Sequence, residues 1–462
     1  MDRPGILSVS FSGVIQYPLL ISCAPSRTLL SFLEYRAFPG VRHRRCEPVL
    51  SNLPRIFRSF VFLLSILFLS GYAVRAVAAP DREEFRADSP GADGLTAIAL
   101  LPEREIYLGK ALVLASSLAA EDLFGEHVDP SIVEEEIRRL AGKIRPALLD
   151  RRDPRKVVSV LNRFLFVEER FAYDCNAGNP DNYLLDRVIA NRRGNCLGLT
   201  ALYLILAEHL SLPLHGVYVP SHCFVRYEEG GVRINIETGV KGADWEDDRY
   251  LRDFPITGSW PYLRSLGRKE TIGVYLKSIG AALSRKGREE RALRFYREAA
   301  VYCPDLPDLY FNMGVSYHKM GLLDDAIAQY RRALALDPDL AVARDNLSVV
   351  LAKKGRLEES LAEARKAAAL RPRNSVTLAN LAAILCACGK TEEGIRIYRK
   401  ALEIDPGNAK ILAGLTKAHY ARGEFHEAIV YCDRAMECGW SPDSAMLGTL
   451  EKYREPSTAS LP

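Results

Sequence analysis

The sequence predicts two folded parts in one chain, a compact α+β domain followed by an all-α solenoid of stacked helical hairpins. Three observations predict this. Gly287, Gly321, Gly355, Gly389 and Gly423 recur every 34 residues, and Ala299, Ala333, Ala367, Ala401 and Ala435 keep the same register. Pro304, Pro338, Pro372 and Pro406 hold it too, so three independent positions mark a repeat of one turn, one close contact and one helix stop. Upstream, the apolar helical run LGLTALYLILAEHL at 197–210 is followed by alternating segments LPLHGVYVP, HCFVRYE and VRINIE, the pattern of a helix packed on a small sheet.

At 462 residues the chain is long enough for two or three domains, each with its own core. The net charge of +4 belongs to the N-terminus, because residues 1–58 hold eight Arg against three acidic residues, whereas residues 80–462 carry 53 basic and 55 acidic side chains. A nearly neutral remainder leaves no electrostatic footprint for nucleic acid. Arg55 and Arg58 precede the apolar stretch SFVFLLSILFLSGYAV at 59–74 and the small residues Ala76, Val77, Ala78 and Ala79. A basic start, a short apolar centre and an A-x-A-like end predict a secretory signal peptide. Residues 1–79 are therefore expected to be a leader with a signal peptide or an N-terminal anchor, with 59–79 as the segment that would hold the chain at a membrane. The rest is expected to be exported, periplasmic or membrane-associated outside the cytoplasm. Residues 80–95 are polar and rich in Pro and Gly, and read as a linker.

The α+β domain is placed at 96–260. Helices are expected over 97–119, 130–149 and 156–168, the last with Val157, Val160, Leu161, Phe164 and Leu165 at helical spacing. A short helix then closes at Gly194, which suits a tight turn with positive φ, and Asn195 suits the cap of the next helix. That helix begins at Cys196. A thiol there meets the positive end of the helix dipole, which favours the thiolate. Gly198 permits close approach of another backbone or a substrate. His222 opens a strand, and Glu229, Gly230 and Gly231 turn the chain back into VRINIE, with Val232, Ile234 and Ile236 on one face and Arg233, Asn235 and Glu237 on the other. If all three turn residues lie outside the ladder, His222 faces Thr238. A two-residue turn at Glu229 and Gly230 sets it opposite Glu237 instead, and a one-residue slip changes the face. The stretch 239–256 is acidic and aromatic, and reads as a solvated connection or as the rim of a site.

These residues resemble the transglutaminase-like core, a papain-related α+β fold in which a Cys caps a helix and a His and an acid come from neighbouring strands. More narrowly, LNRFLFVEERFAYD at 161–174, DNYLLDRVIANRRG at 181–194 and GLTALYLILAEHLSLPLHGVYVPSHCFVRY at 198–227 resemble the SirB-type branch, in which such a core is followed by tetratricopeptide repeats. The resemblance spans about residues 97–445. It implies Cys196 as nucleophile, His222 as general base and Glu237 as the group that orients the imidazole, with Asn235 in reserve. It further implies an oxyanion hole using the Cys196 backbone N–H and one further donor, which the resemblance does not identify and for which Asn191 is a candidate. Many family members lack the helix-capping Cys and are presumed inactive, whereas this sequence keeps it. It departs in having Glu237 where Asp is commoner, and Cys223 where an apolar residue usually follows the His. Cys223 itself reads as a buried small hydrophobe.

The 34-residue period matches the tetratricopeptide signature. Five repeats are expected at 273–306, 307–340, 341–374, 375–408 and 409–442, with a capping helix and tail over 443–462. Such arrays bind peptides or proteins along a concave groove, for which Phe311, His318, Lys319, Lys353, Lys417 and Tyr420 are the candidates; the bases among them suit an acidic or C-terminal ligand. Cys386 and Cys388 lie two apart on one predicted helix, where a bridge is sterically poor. Neither a CxxC nor a His-rich tract is present, so no metal and no cofactor is expected. Two functions of different class fit this sequence: an exported cysteine peptidase, amidase or acyltransferase whose repeats engage a protein substrate, and a non-catalytic adaptor built on a vestigial core.

Overall fold

The computed structural model describes residues 92–148, 151–176, 178–254 and 261–454. The expected leader, with its expected signal peptide or anchor, lies outside the described residues. Helix α1 (Ala92–Ala99) starts inside the stretch expected to be linker. The single helix expected over 97–119 is two, because Pro102 lacks the N–H a helix interior needs; a short turn at Glu103–Glu105 follows, and α2 spans Leu108–Phe124. Asp129 caps α3 (Pro130–Ile144), its carboxylate accepting the Ser131 N–H at 2.9 Å. Asp153 caps α4 (Pro154–Arg163), whose end widens into a π turn at Phe164–Glu168.

Strand β1 (Ala172–Tyr173) pairs in parallel with β2 (Arg193–Gly194), which leads out of α5 (Leu185–Asn191). The left-handed turn expected at Gly194 is taken by Arg192, at φ 52°; Gly194 is extended within β2. Helix α6 (Cys196–Leu210) is buried on all sides, which explains why its sequence is apolar all round rather than striped. An antiparallel sheet of β3 (Leu214–Val219), β4 (His222–Glu229) and β5 (Val232–Ile236) lies against it. The hairpin between β4 and β5 turns on Gly230 and Gly231 alone, both at positive φ, and Glu229 stays in the ladder opposite Val232. Neither expected register is therefore the one adopted. A helix, α7 (Asp247–Asp253), stands in the stretch expected to be solvated connection.

The solenoid pairs α8 (Arg268–Arg285) with α9 (Glu289–Tyr302), α10 (Pro307–Lys319) with α11 (Leu323–Leu336), α12 (Ala341–Lys353) with α13 (Leu357–Leu370), α14 (Ser375–Ala387) with α15 (Thr391–Ile404), and α16 (Ala409–Ala421) with α17 (Phe425–Glu437). Helix α18 (Ser444–Glu451) closes the array. Each pair turns on its periodic glycine, at φ between 74° and 78°, and the five periodic alanines are fully buried where the helices touch. The first pair belongs as much to the α+β core as to the array. Tyr275 on α8 donates to the Tyr183 carbonyl at 2.8 Å, Arg294 on α9 pairs with Asp122, and one hydrophobic core runs from Leu95 to Leu351.

Candidate active site

Helix α6 is aimed by its cap. The Asn195 N–H donates to the Asn182 carbonyl at 3.1 Å, and the Asn195 side chain accepts the Gly198 N–H at 3.0 Å. Gly198 is required because a Cβ there would stand 2.3 Å from the Asn182 oxygen, so its role is backbone packing. Cys196 is thereby the first helical residue, half-buried, with its thiol at the positive end of the helix. The backbone N–H groups of Cys196 and Leu197 precede the helical ladder, where first-turn donors are free to receive an oxyanion. Asn191, the expected second donor, ends α5 on an exposed position.

His222 opens β4 opposite Val219, and its Nε2 lies 2.7 Å from Glu237 Oε2. The imidazole is 10% exposed and the carboxylate 2%. Their meeting does not depend on facing each other in the ladder. The sheet pairing ends at Val225 and Ile236; Glu237, just beyond it, lies on the same face as His222 and caps the short turn Thr238–Val240. Glu237 Oε1 accepts the Gly239 N–H at 2.8 Å, and Oε2 accepts the Tyr250 hydroxyl at 3.1 Å, so the buried carboxylate has hydrogen bonds on both oxygens. Phe254 stacks on the imidazole with ring centres 4.5 Å apart and planes 4° from parallel, while Tyr250 stacks on Phe224 at 3.9 Å. Asn235, the reserve orienter, is engaged elsewhere. It accepts from Arg226 Nε at 2.7 Å and donates to Asp247 Oδ1 and the Trp245 carbonyl.

With Nε2 held by Glu237, the other ring nitrogen is left for the thiol. Hydrogen bonds from the Cys223 thiol and from His222 hold Cys196 well below the usual thiol range, against the cost of burial. Burial opposes a charge on His222, yet bonds to Cys196 and Glu237 push it up to about 10. Both shifts favour the thiolate–imidazolium form of the pair. Cys223 points to the opposite sheet face and interacts with both Cys196 and Thr200, which sit one turn apart on α6; its bond to the thiolate, with burial, pushes it well up. Tyr173 on β1 stands at the mouth, 41% exposed, pushed up to about 12 by burial and by the charges of Cys196 and Glu237. Behind the sheet, Lys277 on α8 donates to the Tyr218 hydroxyl at 2.8 Å, which donates to Asp308 at 2.7 Å, so the first two repeats form the back of the site.

Cys196, His222 and Glu237 therefore come together. Tyr250, Phe254 and the contact with Cys223 were missed by sequence reasoning; the four-residue spacing of Tyr250 and Phe254 was the available signal for a helical face. The groove candidates differ in how far each side chain is already engaged within the array. Phe311 is buried, Tyr420 packs on Phe425, and Lys319 pairs with Glu289 at 2.9 Å while donating to the Ser284 carbonyl. Burial and the charge of Lys353 hold His318 down at about 4, and its Nε2 lies 2.8 Å from Lys353 Nζ. Lys353 is exposed, and Lys417 lies 5.9 Å from the Trp440 ring centre. Among the described residues no cluster of His, Cys, Asp and Glu has the arrangement of a metal site.

A thiol on the first residue of a core helix, a strand-borne His bonded to an acid, and a helical array packed against the same core define a transglutaminase-like domain joined to a solenoid. The transglutaminase-like superfamily model matches residues 132–244. Three tetratricopeptide-repeat models match 280–321, 307–340 and 387–439. The chain thus carries a transglutaminase-like domain followed by tetratricopeptide repeats. Similar solved structures include MamA, 24% identical over 35% of this chain and 94% of that one with a TM-score of 0.32. YrrB, described as a TPR protein with an unusual peptide-binding site, is 20% identical over 39% and 92% with a TM-score of 0.34. PilF of Pseudomonas aeruginosa is 21% identical over 40% and 85% with a TM-score of 0.37. At these identities the likeness is one of fold alone. No curated protein matches the chain.

Proposed function

We propose that the transglutaminase-like domain is a working cysteine enzyme that forms an acyl-enzyme from a carboxamide, and that the repeats bind the protein or peptide presenting it. The single observation that carries this reading is the His222–Glu237 bond of 2.7 Å, in a domain whose half-buried Cys196 opens the core helix. A vestigial core has no need to keep an acid buried against an imidazole, because an uncompensated buried charge is costly. In the reaction, the Cys196 thiolate attacks the carboxamide carbon and the first-turn N–H groups of α6 receive the oxyanion. The His222 imidazolium then protonates the departing amine, leaving a thioester on Cys196. Water or a second amine, deprotonated by the now neutral imidazole, resolves it; hydrolysis and transfer share every step before this one. Glu237, Tyr250 and Phe254 fix the ring. The basic, apolar and small-residue order of 55–79 supports an exported enzyme, and sequencing the N-terminus of the mature protein tests it.

Alkylation by iodoacetamide at pH 6 tests the chemistry. An ordinary thiol is about 0.3% ionised there, given its pKa of about 8.5. An ionised Cys196 offers about 300-fold more thiolate, offset by its weaker intrinsic nucleophilicity. Cys196 should react about tenfold faster in the wild type than in His222→Ala. Equal rates sink the enzyme reading.

A further inference from the structure

The acid of the site is carried by a loop, and the loop is fastened from outside. Glu237 lies just past β5, and its main chain is bonded within the loop: its N–H donates to the Ala243 carbonyl at 2.9 Å, and its carbonyl accepts the Gly242 N–H at 2.8 Å. The Gly242 carbonyl in turn accepts from Asn162 Nδ2 at 2.9 Å, a side chain in the last turn of α4. Asn162 Oδ1 accepts the Tyr203 hydroxyl, also at 2.9 Å. Tyr203 is a buried residue of α6, on the helix face that carries Cys196 and Thr200. Thr200 Oγ1 lies 3.5 Å from Thr238 Oγ1, so this face of α6 meets the loop at two levels, once directly and once through Asn162.

We infer that Asn162 is a positioning residue, which clamps the loop carrying Glu237 to the helix carrying Cys196 and so sets the acid against the His222 imidazole. Its bearing on catalysis rests on the roles proposed above for those three residues. The side chain at 162 has to donate to a carbonyl and accept from a hydroxyl at once, which an amide does and neither an apolar side chain nor a carboxylate does. Asn162 accordingly interrupts the apolar run VLNRFLF at 160–166. Gly242 shows the same fit from the other side. It is buried at φ 80°, and a Cβ there would collide with the Asn162 amide, so the loop comes this close only as glycine.

The clamp matters because the sheet does not place the acid. Ladder pairing between β4 and β5 ends at Val225 and Ile236, three residues short of His222 on one strand and one short of Glu237 on the other, yet the imidazole and carboxylate meet at 2.7 Å. A bridge between Glu237 and Ala243 closes the loop on itself, which fixes its shape but not its position on the domain. Without the Asn162 amide, the Gly242 carbonyl and the buried Tyr203 hydroxyl both lose a partner, and the loop moves to regain hydrogen bonds from water. Glu237 moves with it. His222 reports the change, because a carboxylate held at hydrogen-bond distance favours the imidazolium more than one that has drifted away.

The test uses the full chain and reads the His222 ring by NMR titration, with urea unfolding as the control for folding. Asn162→Ala should move the titration to lower pH by about one unit. In a Glu237→Gln background the same substitution should add less than about 0.3 unit, because the carboxylate it acts through is gone. Tyr203→Phe keeps the amide on the Gly242 carbonyl but frees it from α6; it should give a smaller shift in the same direction, and it decides the matter if Asn162→Ala does not fold. An unchanged titration in a folded but destabilised variant, or a shift of equal size with and without the Glu237 carboxylate, overturns the assignment and leaves Asn162 as packing alone. Iodoacetamide labelling of Cys196 at pH 6 separates this failure from the other. A wild-type Cys196 no faster than an ordinary thiol sinks the enzyme reading, while the titration still decides whether Asn162 places the acid.

Discussion

The N-terminus of α6 and the concave side of the repeats are both places where sequence patterns suggested function, and they turned out differently. At α6, three residues from three elements converge, and the neighbours around them hold them in place. Gly239 and Tyr250 bind Glu237, Phe254 stacks on His222, and Asn195 fixes the helix start. On the array, Phe311, Lys319 and Tyr420 are occupied in holding the repeats together, which leaves Lys353 and Lys417. A reactive centre needs a few side chains in fixed relation, which rigid elements supply. A binding groove needs side chains left unsatisfied, and in a stack of helices the same repeat or its neighbour is the first partner to claim them.

The sharpest way to break this contrast is to remove the acid. Glu237→Ala leaves His222, the Gly239 N–H and the Tyr250 hydroxyl without their acceptor, and should cost about 3–5 kcal/mol in urea unfolding at pH 6. The pH dependence has a defined sign. His222 is raised from 6.5 to about 10 in the fold, so the stability it draws from Glu237 is full below pH 6.5 and is lost as pH rises through about 10. The gap between wild type and Glu237→Ala should therefore narrow between pH 6.5 and 10. A gap that stays constant would mean that the native imidazole is neutral and that the thiolate–imidazolium pair does not exist. In Glu237→Gln, NMR titration of the His222 ring should move to lower pH than in the wild type, because an amide does not stabilise the imidazolium as a carboxylate does.

A smaller effect separates the stacked ring from the bonded one. Phe254 contributes parallel contact at 4.5 Å but no charge, so Phe254→Leu should cost about 1 kcal/mol, within the range for a ring pair. Iodoacetamide labelling of Cys196 should stay closer to wild type than to His222→Ala. If Phe254→Leu matches His222→Ala, ring placement rather than ionisation limits the thiol.

Much of this fold is legible because it is local. The 34-residue period fixes each hairpin turn through a single glycine, and Asn195 before Cys196 marks a helix start without reference to anything distant. The breaks at Pro102 and at the π turn of 164–168 fall inside runs whose apolar spacing stays helical, so periodicity alone passes over them. The site is partly legible. His222 and Glu237 meet although neither expected register is adopted, because Glu237 has left the ladder and reaches the imidazole from a capped turn. Tyr250 and Phe254 escape because their stretch is acidic enough to read as solvated, and only the sheet beneath them reveals what the aromatic face covers. Cys223 escapes for the opposite reason: its expected burial is what the structure shows, but the partner of its thiol is set by the way β4 lies on α6.

The repeat bases give the smallest and most discriminating effects. Lys353→Ala and Lys417→Ala should each change stability by less than about 0.5 kcal/mol, as exposed substitutions do, whereas Lys319→Ala should cost about 1–2 kcal/mol because it strips a partner from Glu289 and Ser284. If the array takes an acidic peptide, the first two variants should weaken binding measured by fluorescence anisotropy at low salt, with little loss left at high salt. His318 sharpens the same experiment. An ordinary His gains charge near pH 6.5, but burial and Lys353 hold this one at about 4, so it stays neutral and accepts the Lys353 hydrogen bond. Affinity for the acidic peptide should then be flat from pH 7.5 to 5.5. A rise over that range, absent in His318→Gln, would place a third cation in the groove and restore the array as a charged binding surface comparable in definition to the site at α6.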